Sequence, residues 1–187
     1  MSLLKVAVLG NPILRRTTPE MKKSELLRES VQRFIDDLIE TMREYDGVGL
    51  AATQVHQLYR IAVIEVVANP RYPQAPSVPL TILVNPCLTP IGTERAKDWE
   101  GCLSVPEMRG VVSRWTKIHV EAMDRKGNPL SLDASGFFAR AVQHETDHLD
   151  GIVYVDRMED MSTLTYLRKY GRYWRDKQVP DEGSALG

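Results

Sequence analysis

The sequence predicts a protein of the α+β class, and two kinds of pattern support this. Segments rich in β-branched and apolar residues, which are typical of strands, occupy the middle of the chain at 60–67, 80–86 and 115–123. Apolar residues recur at helical spacing over 24–45, and a last helix is expected around 162–174. Because the strand-like segments are grouped together, we expect central antiparallel or mixed strands flanked by N- and C-terminal helices.

Length and composition indicate one soluble domain with a real core. The 187 residues are 43% hydrophobic and 26% charged, which is ordinary for a globular protein. We expect a single folded domain over 1–174 and a disordered C-terminal tail over 175–187. The formal net charge of -1 gives no general basic surface, so no direct nucleic-acid binding is indicated.

The N-terminal apolar stretch is too short for a secretory signal, because Gly10, Asn11 and Pro12 interrupt it. No apolar run approaches the length of a membrane span. The two cysteines, Cys87 and Cys102, form no disulfide framework and indicate a reducing compartment. We therefore expect a cytoplasmic protein without membrane contact.

The first half of the chain is predicted to form a helix, a loop and two strands. Charged residues cover one face of segment 24–45 and apolar residues the other, which indicates an amphipathic helix. The glycine-rich start of segment 47–54 is typical of a loop. The strand at 60–67 precedes a proline-rich surface loop over 68–79, and the second strand begins at residue 80.

The second half is predicted to hold further strands and a helix that carries the most informative residues. Segment 102–106 is expected to be a strand stopped by Pro106. Another strand covers 115–123. A helix then begins near Ser135 and ends at Gly151, a residue type that often follows the end of a helix.

The stretch "QHETDHLDG", residues 143–151, has the spacing of a metal site. His144 and His148 lie four positions apart on the predicted helix, so both imidazoles can close on one metal ion. Glu145 would stand beside that ion as a candidate general base. Catalytic sites of this type usually take three protein ligands and keep one position open, so a third ligand is required.

Three sources of the third ligand can be compared. The metalloprotease spacing H-E-x-x-H-x-x-G-x-x-H fails, because Tyr154 occupies the position of the last histidine. Glu159 or Asp160 would complete a site of two histidines and a carboxylate, although acidic residues there are also typical of a helix start. The third source is Cys102, in the upstream segment "WEGCLSVP".

The surroundings of Cys102 favour it over the other cysteine. Gly101 permits a close approach of the backbone beside it. Cys87 stands between two prolines and is predicted to be structural. A thiolate with two imidazoles suits zinc or iron(II), since both accept tetrahedral coordination by nitrogen and sulfur.

Three segments, in this order, resemble the motifs of the peptide deformylase family: "GVGLAATQ" (47–54), "EGCLS" (100–104) and "QHETDHLDG" (143–151). "GNPILR" (10–15) also resembles the N-terminal segment of that family. The resemblance implies a single catalytic domain that removes the formyl group from N-formylmethionine and releases formate. It further implies formylmethionyl nascent peptides as partners and action near the ribosome exit.

The resemblance also implies a role for each motif residue. The ligands of one divalent metal ion would be Cys102, His144 and His148, so the strands would pack around a metal-bearing helix. The ion is generally Fe(II) in the family, and nickel, cobalt or zinc can substitute. Metal-activated water would attack the formyl carbonyl with Glu145 as general acid and base. Gln54 and the Leu103 N–H would donate hydrogen bonds to the resulting oxyanion.

The substrate peptide is expected to lie along the glycine-rich segment. The resemblance implies that its backbone pairs with Val48, Gly49 and Gly101 as an added strand. Arg109 is a further candidate contact with the peptide.

The methionine side chain requires an apolar pocket. Counting back along the helix from His144, Ala141 and Phe137 share the side that faces the metal. Arg140 lies near the same side and brings a charge there. The pattern "ARxxQHExDH" resembles the variant shared with organellar relatives of the family.

Two other functions remain open at this point. An H-E-x-x-H metalloendopeptidase would need a cleft open on both sides and a third ligand other than cysteine. A non-catalytic metal-binding paralogue is disfavoured, because Glu145 and Gln54 are dispensable for structural binding and yet are present. A structural site would also use a fourth protein ligand, and we find none in the sequence.

Overall fold

Eight strands form two sheets in a computed structural model of the chain, which describes residues 2–67, 76–175, 177 and 179. The first sheet has the strand order β1 (Gly49–Ala51), β2 (Ile61–Val66), β3 (Val78–Pro90), β6 (Lys117–Met123) and β7 (Pro129–Ser135). The second sheet has the order β4 (Arg95–Cys102), β5 (Val105–Trp115) and β8 (Thr165–Tyr166). All the described pairings are antiparallel.

Four α-helices accompany the sheets within the described ranges. They are α1 (Lys23–Leu26), α2 (Glu29–Glu44), α3 (Gly136–Leu149) and α4 (Leu167–Tyr173). The grouping of strands in the middle of the chain, with helices near both ends, confirms the predicted α+β class.

The apolar face of α2 packs on the first sheet. Ile35, Leu38 and Met42 are fully buried there, in one core cluster with residues of β1 and β2. The helix predicted over 24–45 is in fact two helices, because Arg28 has extended backbone angles (φ -64°, ψ 137°) just before α2. No glycine or proline marks this break, so the amphipathic pattern could not locate it.

Helix α3 lies between the two sheets. Every residue over 139–149 is buried, and the helix contacts strands of both sheets. The predicted start near Ser135 and end at Gly151 are confirmed. On a helix buried on nearly all sides, a polar group without a partner is costly, so any such group needs an explanation.

Two predicted boundaries in the second half are wrong. Pro106 does not stop a strand, because β4 already ends at Cys102 and β5 begins after a tight turn, just before the proline. Proline is tolerated there since β8 pairs with β5 only at Met108 and Arg109. The last helix, α4, begins later than predicted, because a short 3₁₀ helix and β8 come first.

Two further predictions fall largely outside the described residues. The proline-rich loop over 68–79 is described only from residue 76 onward. Of the predicted tail over 175–187, only residues 175, 177 and 179 are described. The single domain over 1–174 stays a prediction. No helix in the described part of the chain is long and apolar enough to cross a membrane.

The chain turns sharply after α3 and returns against the N-terminal segment at Gly151. This residue has φ +76°, and a Cβ atom added to it would lie 2.8 Å from the Arg15 carbonyl oxygen. The Thr18 N–H donates to the Leu149 carbonyl at 2.8 Å and ties the two segments together. Only glycine satisfies both the backbone angle and the close approach.

We expect Gly151→Ala to destabilise the protein by more than Gly92→Ala. Both glycines have positive φ, so alanine costs each about 1–2 kcal/mol of backbone strain. Only Gly151 adds a clash with backbone, since nothing lies within 4 Å of a Cβ atom at Gly92. Urea unfolding of both variants measures the difference, and equal losses in free energy of unfolding would contradict this packing.

Candidate metal centre

Three buried side chains bring metal-binding atoms together between β4 and α3. Cys102 is the last residue of β4, and His144 and His148 lie one turn apart on α3. Their ligand atoms all lie within 4.8 Å of one another, and Cys102 Sγ is 3.2 Å from His148 Nε2. The described part of the chain contains no second group of this kind.

A buried carboxylate, Glu100, orients the first histidine. Its Oε2 atom lies 2.9 Å from His144 Nδ1, which leaves Nε2 of that ring for a metal. Arg114 donates to both carboxylate oxygens, at 2.9 and 3.0 Å, and Arg140 donates to Oε1 at 2.8 Å. Burial alone would raise the pKa of the Glu100 carboxyl, but Arg114 and His144 hold this pKa well below its usual range.

Asp147 extends this network along α3. Its carboxylate accepts hydrogen bonds from Arg114 and, at 2.7 Å, from Arg157. Sequence reasoning missed Glu100, Arg114 and Asp147 as site residues. Glu100 and Asp147 do stand inside the quoted motifs, but no local pattern indicated that Arg114, on another strand, would be their common partner.

The surroundings of Cys102 favour its thiolate form. Burial alone would raise the pKa of this thiol, but His148 and His144 lower it well below its usual value. The Ser104 N–H points at Sγ from 3.3 Å, and the Gln54 side-chain amide from 3.4 Å. The thiolate is the form in which cysteine binds metals.

Glu145 lies in the same cavity as the cysteine and the first histidine. Among the described residues its Oε2 atom has no hydrogen-bond partner. Burial raises the pKa of its carboxyl to about 7, against the opposing effect of the two histidines. Gly49 makes room for it, since a Cβ atom at Gly49 would lie 2.6 Å from Glu145 Cγ. The carboxyl can therefore exchange a proton near neutral pH.

Gln54 is fixed just after β1, with its amide directed at the site. Its Oε1 accepts the Ala51 N–H at 2.9 Å, and its Nε2 donates to Ser104 Oγ at 3.1 Å. Leu103 follows Cys102 in the turn between β4 and β5 and lines the same cavity. Both candidate hydrogen-bond donors thus stand beside the cysteine.

One cavity collects most of the residues that the sequence singled out. It is lined by Val48, Gly49, Gln54, Gly101, Cys102, Leu103, Phe137, Ala141, His144 and Glu145. Trp99 and Glu100 also line it; Glu100 stands in the quoted motif "EGCLS", but neither residue had been singled out as a site residue. His148 is outside this lining, although its ring faces the cysteine. Arg109 is also outside it, buried beside Gly101.

Arg140 reaches the cavity without presenting a free charge to it. Its guanidinium donates to Glu100 and to the carbonyl oxygens of Val112, at 2.9 Å, and Ala96, at 2.7 Å. The charge that the sequence placed beside the methionine pocket is therefore compensated inside the protein. The neighbouring Phe137 and Ala141 are left to supply apolar surface.

The competing third ligands lie elsewhere. Glu159 pairs with Lys97 at 3.4 Å, and Asp160 caps a short 3₁₀ helix. The ring of Tyr154 stacks on a site histidine, and Cys87 is exposed on β3. None of them joins the group of three.

The donor set fits a divalent metal ion. One thiolate and two imidazole nitrogens, buried and close together, are ligands that iron(II) and zinc both accept. Three protein ligands are also the number typical of catalytic sites. A carboxylate on the other nitrogen of His144 is the usual partner of a metal-binding histidine.

Comparisons with known proteins extend beyond this site. The family described as polypeptide deformylase matches residues 3–163. Peptide deformylase 1 of Prochlorococcus marinus is 41% identical over 167 residues, which cover 89% of this chain and 86% of that protein. A class I type b peptide deformylase from Acinetobacter baumannii is 38% identical, with a TM-score of 0.82 over 85% of this chain and 100% of that chain. The Met-Ala-Ser-bound structure of a class I type b peptide deformylase from the same organism has a TM-score of 0.81 and 38% sequence identity. The match covers 84% of this chain and 99% of that chain.

These matches include the segments that carry Cys102, His144 and His148. They confirm the resemblance that the three motifs indicated, and they do so over most of the chain. The chain therefore belongs to the peptide deformylase family, whose members are metal-dependent hydrolases.

Proposed function

We propose that this chain removes the N-formyl group from formylmethionine at the N-terminus of nascent polypeptides and releases formate. The proposal is carried by one observation: Glu145 lies at the same cavity as the three-residue metal-binding group. The Glu145 carboxyl is buried, and its Oε2 atom has no hydrogen-bond partner among the described residues. A purely structural metal site has no need of such a carboxyl. Membership of the family supports the same activity.

The proposed ligands of one divalent ion are Cys102, His144 and His148. The donor types suit iron and zinc alike, and the choice of Fe(II), with nickel, cobalt or zinc as substitutes, follows the family resemblance. When bound, such an ion polarises a carbonyl oxygen and lowers the pKa of water from 15.7 toward about 7.

Glu145 is proposed to act as general base and then as general acid. Its Oε2 atom accepts a proton from the attacking water and returns it to the methionine nitrogen as the bond between that nitrogen and the formyl carbon breaks. Formate leaves with the oxygen of the water. Burial raises the pKa of this carboxyl above its usual value, which makes it a better proton acceptor than an exposed carboxylate.

Gln54 and the Leu103 N–H are proposed to stabilise the negative oxygen that forms on the formyl carbon. The orientation of the Gln54 amide is fixed, because its Oε1 atom accepts a hydrogen bond from the Ala51 N–H. Its Nε2 atom is thereby kept beside the cysteine before any substrate arrives. A donor fixed in advance costs no reorganisation when charge develops, which is why such groups contribute strongly to rate.

The peptide is proposed to bind as an added strand. Among the described strands, β1 pairs only with β2 and β4 pairs only with β5, so each has one side without a described strand beside it. Val48 and Gly49, at the start of β1, line the same cavity as Gly101 on β4. An extended peptide can therefore take hydrogen bonds from main chain on either side. Arg109, buried beside Gly101, supports this edge from behind.

The side chain of the formylated methionine is proposed to enter between Phe137 and Ala141 on α3. Val48 and Leu103 add apolar surface to the same lining. Since the Arg140 charge is bound to Glu100 and two carbonyl oxygens, this pocket suits an uncharged side chain.

The cellular location and the domain organisation are proposed from the substrate class. A nascent polypeptide as substrate implies a cytoplasmic enzyme that acts near the ribosome exit, with residues 1–174 as one catalytic domain. The endopeptidase alternative is not favoured, because the third ligand candidate near the histidines is a cysteine and the downstream carboxylates lie elsewhere.

Formate release from formyl-Met-Ala-Ser tests the function directly. We expect fast turnover by protein prepared anaerobically with Fe(II), loss of activity on exposure to air, and slower turnover by the zinc form. Glu145→Gln keeps the size of the side chain and removes the proton acceptor, so it should lower kcat by about 10²–10⁴. Glu159→Gln, at an exposed position, should leave the rate unchanged. No formate from either metal form would leave a metal-binding protein without this activity.

Metal analysis of two cysteine variants tests the ligand set. Cys102→Ala should retain well below one ion per chain, because it removes a thiolate of the metal-binding group. Cys87→Ala, the same change on the exposed face of β3, should retain the wild-type content. Undiminished metal in Cys102→Ala would contradict the proposed ligands and revive the endopeptidase alternative.

Gln54→Leu tests the oxyanion donor. Removal of one such donor costs about 10²–10³ in kcat, and the metal content should stay at the wild-type value because Gln54 is not a ligand. Gln57→Leu makes the same chemical change at an exposed position and should leave kcat unaltered. A loss of less than ten-fold in Gln54→Leu with metal retained would remove this role.

A further inference from the structure

We propose that Trp99 forms the part of the cavity wall that contacts the peptide beyond its formylmethionine, and that aromatic residues on and directly after α4 hold this wall in place. The inference rests on the proposed deformylase function. It names a residue that determines how well the second and third residues of the substrate bind.

Trp99 lies two residues before Gly101, which is proposed to pair with the backbone of the substrate methionine. Both residues are on β4, and both line the cavity. A strand rises about 3.3 Å per residue, so Trp99 lies about 7 Å from Gly101 in the direction away from Cys102. A peptide paired with the edge of β4 advances at the same rate, which brings the residues after methionine to Trp99.

Trp99 contacts the cavity through atoms other than its indole nitrogen. The residue is only 7% exposed, and the Nε1 atom is covered by protein. The residue nevertheless lines the cavity, so the part of it that meets a bound peptide is apolar surface and not a hydrogen-bond donor.

Two residues of the C-terminal segment, neither of which lines the cavity, contact the Trp99 indole. We call Tyr170 and Trp174 the aromatic clamp. Their ring centroids lie 5.1 and 6.0 Å from that of Trp99. The Arg109 guanidinium lies 5.2 Å from the Tyr170 ring on the same side of the fold. Tyr170 thus contacts both the cavity wall and the arginine beside Gly101.

The aromatic clamp is tied to the second sheet. β8, directly before α4, pairs with Met108 and Arg109 of β5, and the Val111 N–H donates to Thr163 Oγ1 at 3.2 Å. The family match ends at residue 163, and the clamp follows it. The clamp therefore belongs to a segment outside the matched region, while the wall that it holds is inside.

Kinetics of the full-length, metal-loaded protein with two substrates test this inference. Formyl-Met-Ala-Ser reaches Trp99, whereas formyl-Met has no residue beyond methionine and serves as the internal control. The variants are Tyr170→Ala, which removes the main clamp ring, and Tyr170→Phe, which keeps it. Tyr173→Ala removes a ring from the same helix at a position that is 44% exposed. Metal content is measured for each.

We expect Tyr170→Ala to raise KM for the tripeptide about three- to ten-fold, the range expected for loss of an aromatic contact, with kcat within two-fold. Its kcat/KM for formyl-Met should equal that of the wild type. Tyr170→Phe and Tyr173→Ala should behave as wild type on both substrates. Trp99→Leu, which removes the aromatic surface of the wall and keeps an apolar side chain, should raise KM for the tripeptide and leave formyl-Met unaffected.

Two outcomes would overturn the inference. An unchanged KM for the tripeptide in Tyr170→Ala would mean that the wall does not contact the peptide. A parallel loss on both substrates, or a fall in metal content, would mean that α4 only supports the metal-binding group.

A wild-type protein that cleaves neither substrate would instead refute the proposed function. The wall is then tested by calorimetric titration of Met-Ala-Ser into the zinc-loaded protein. Weaker binding to Tyr170→Ala than to Tyr170→Phe supports the wall without any turnover. Equal binding to both variants, or no binding to the wild type, overturns it.

Discussion

The buried carboxylate of Glu100 is the interaction on which the rest of the site depends. It accepts hydrogen bonds from Arg114 on β5 and from Arg140 and His144 on α3. A buried ion costs several kcal/mol unless its partners are in place, and loss of one partner leaves another charge uncompensated. Only one register of β4 on β5, and one placement of α3, satisfies all of them. Since Cys102 follows on the same strand, this register also sets the thiolate opposite the histidines.

The two sheets contribute different parts of the function, and α3 joins them. The second sheet carries Cys102 and Gly101, and the first sheet carries Gly49 and, just after β1, Gln54. Glu145, on α3, packs so closely on Gly49 that no other residue type fits there. The proposed general acid and the strand edge proposed to bind the peptide are thus positioned by one contact.

Local sequence patterns predicted the features that depend on residues nearby in sequence. They failed to predict the features that depend on contacts with distant parts of the chain. The pair of histidines was predictable because four residues make one helical turn. Arg140 was predicted to lie near the metal-facing side, but its partners on β4 and β5 were not predicted, because they are distant in sequence. Pro106 was wrongly predicted to end a strand, because a proline is tolerated inside β5 where no further strand pairs with it. The position of that pairing, at Met108 and Arg109, depends on β8 far along the chain. Trp99 had no signal at all, since its importance comes from rings far along the chain.

Among the described strands, β1 and β4 each have one side without a strand partner, and such an edge can pair with a strand of another copy. The protein limits this hazard by geometry and charge. β1 is only three residues long and runs directly into a 3₁₀ helix, which leaves little edge to extend. Along β4, charged side chains precede the cavity at Arg95, Lys97 and Asp98, a feature that discourages the stacking of neutral strands. A long strand of another copy therefore finds no continuous template at these edges.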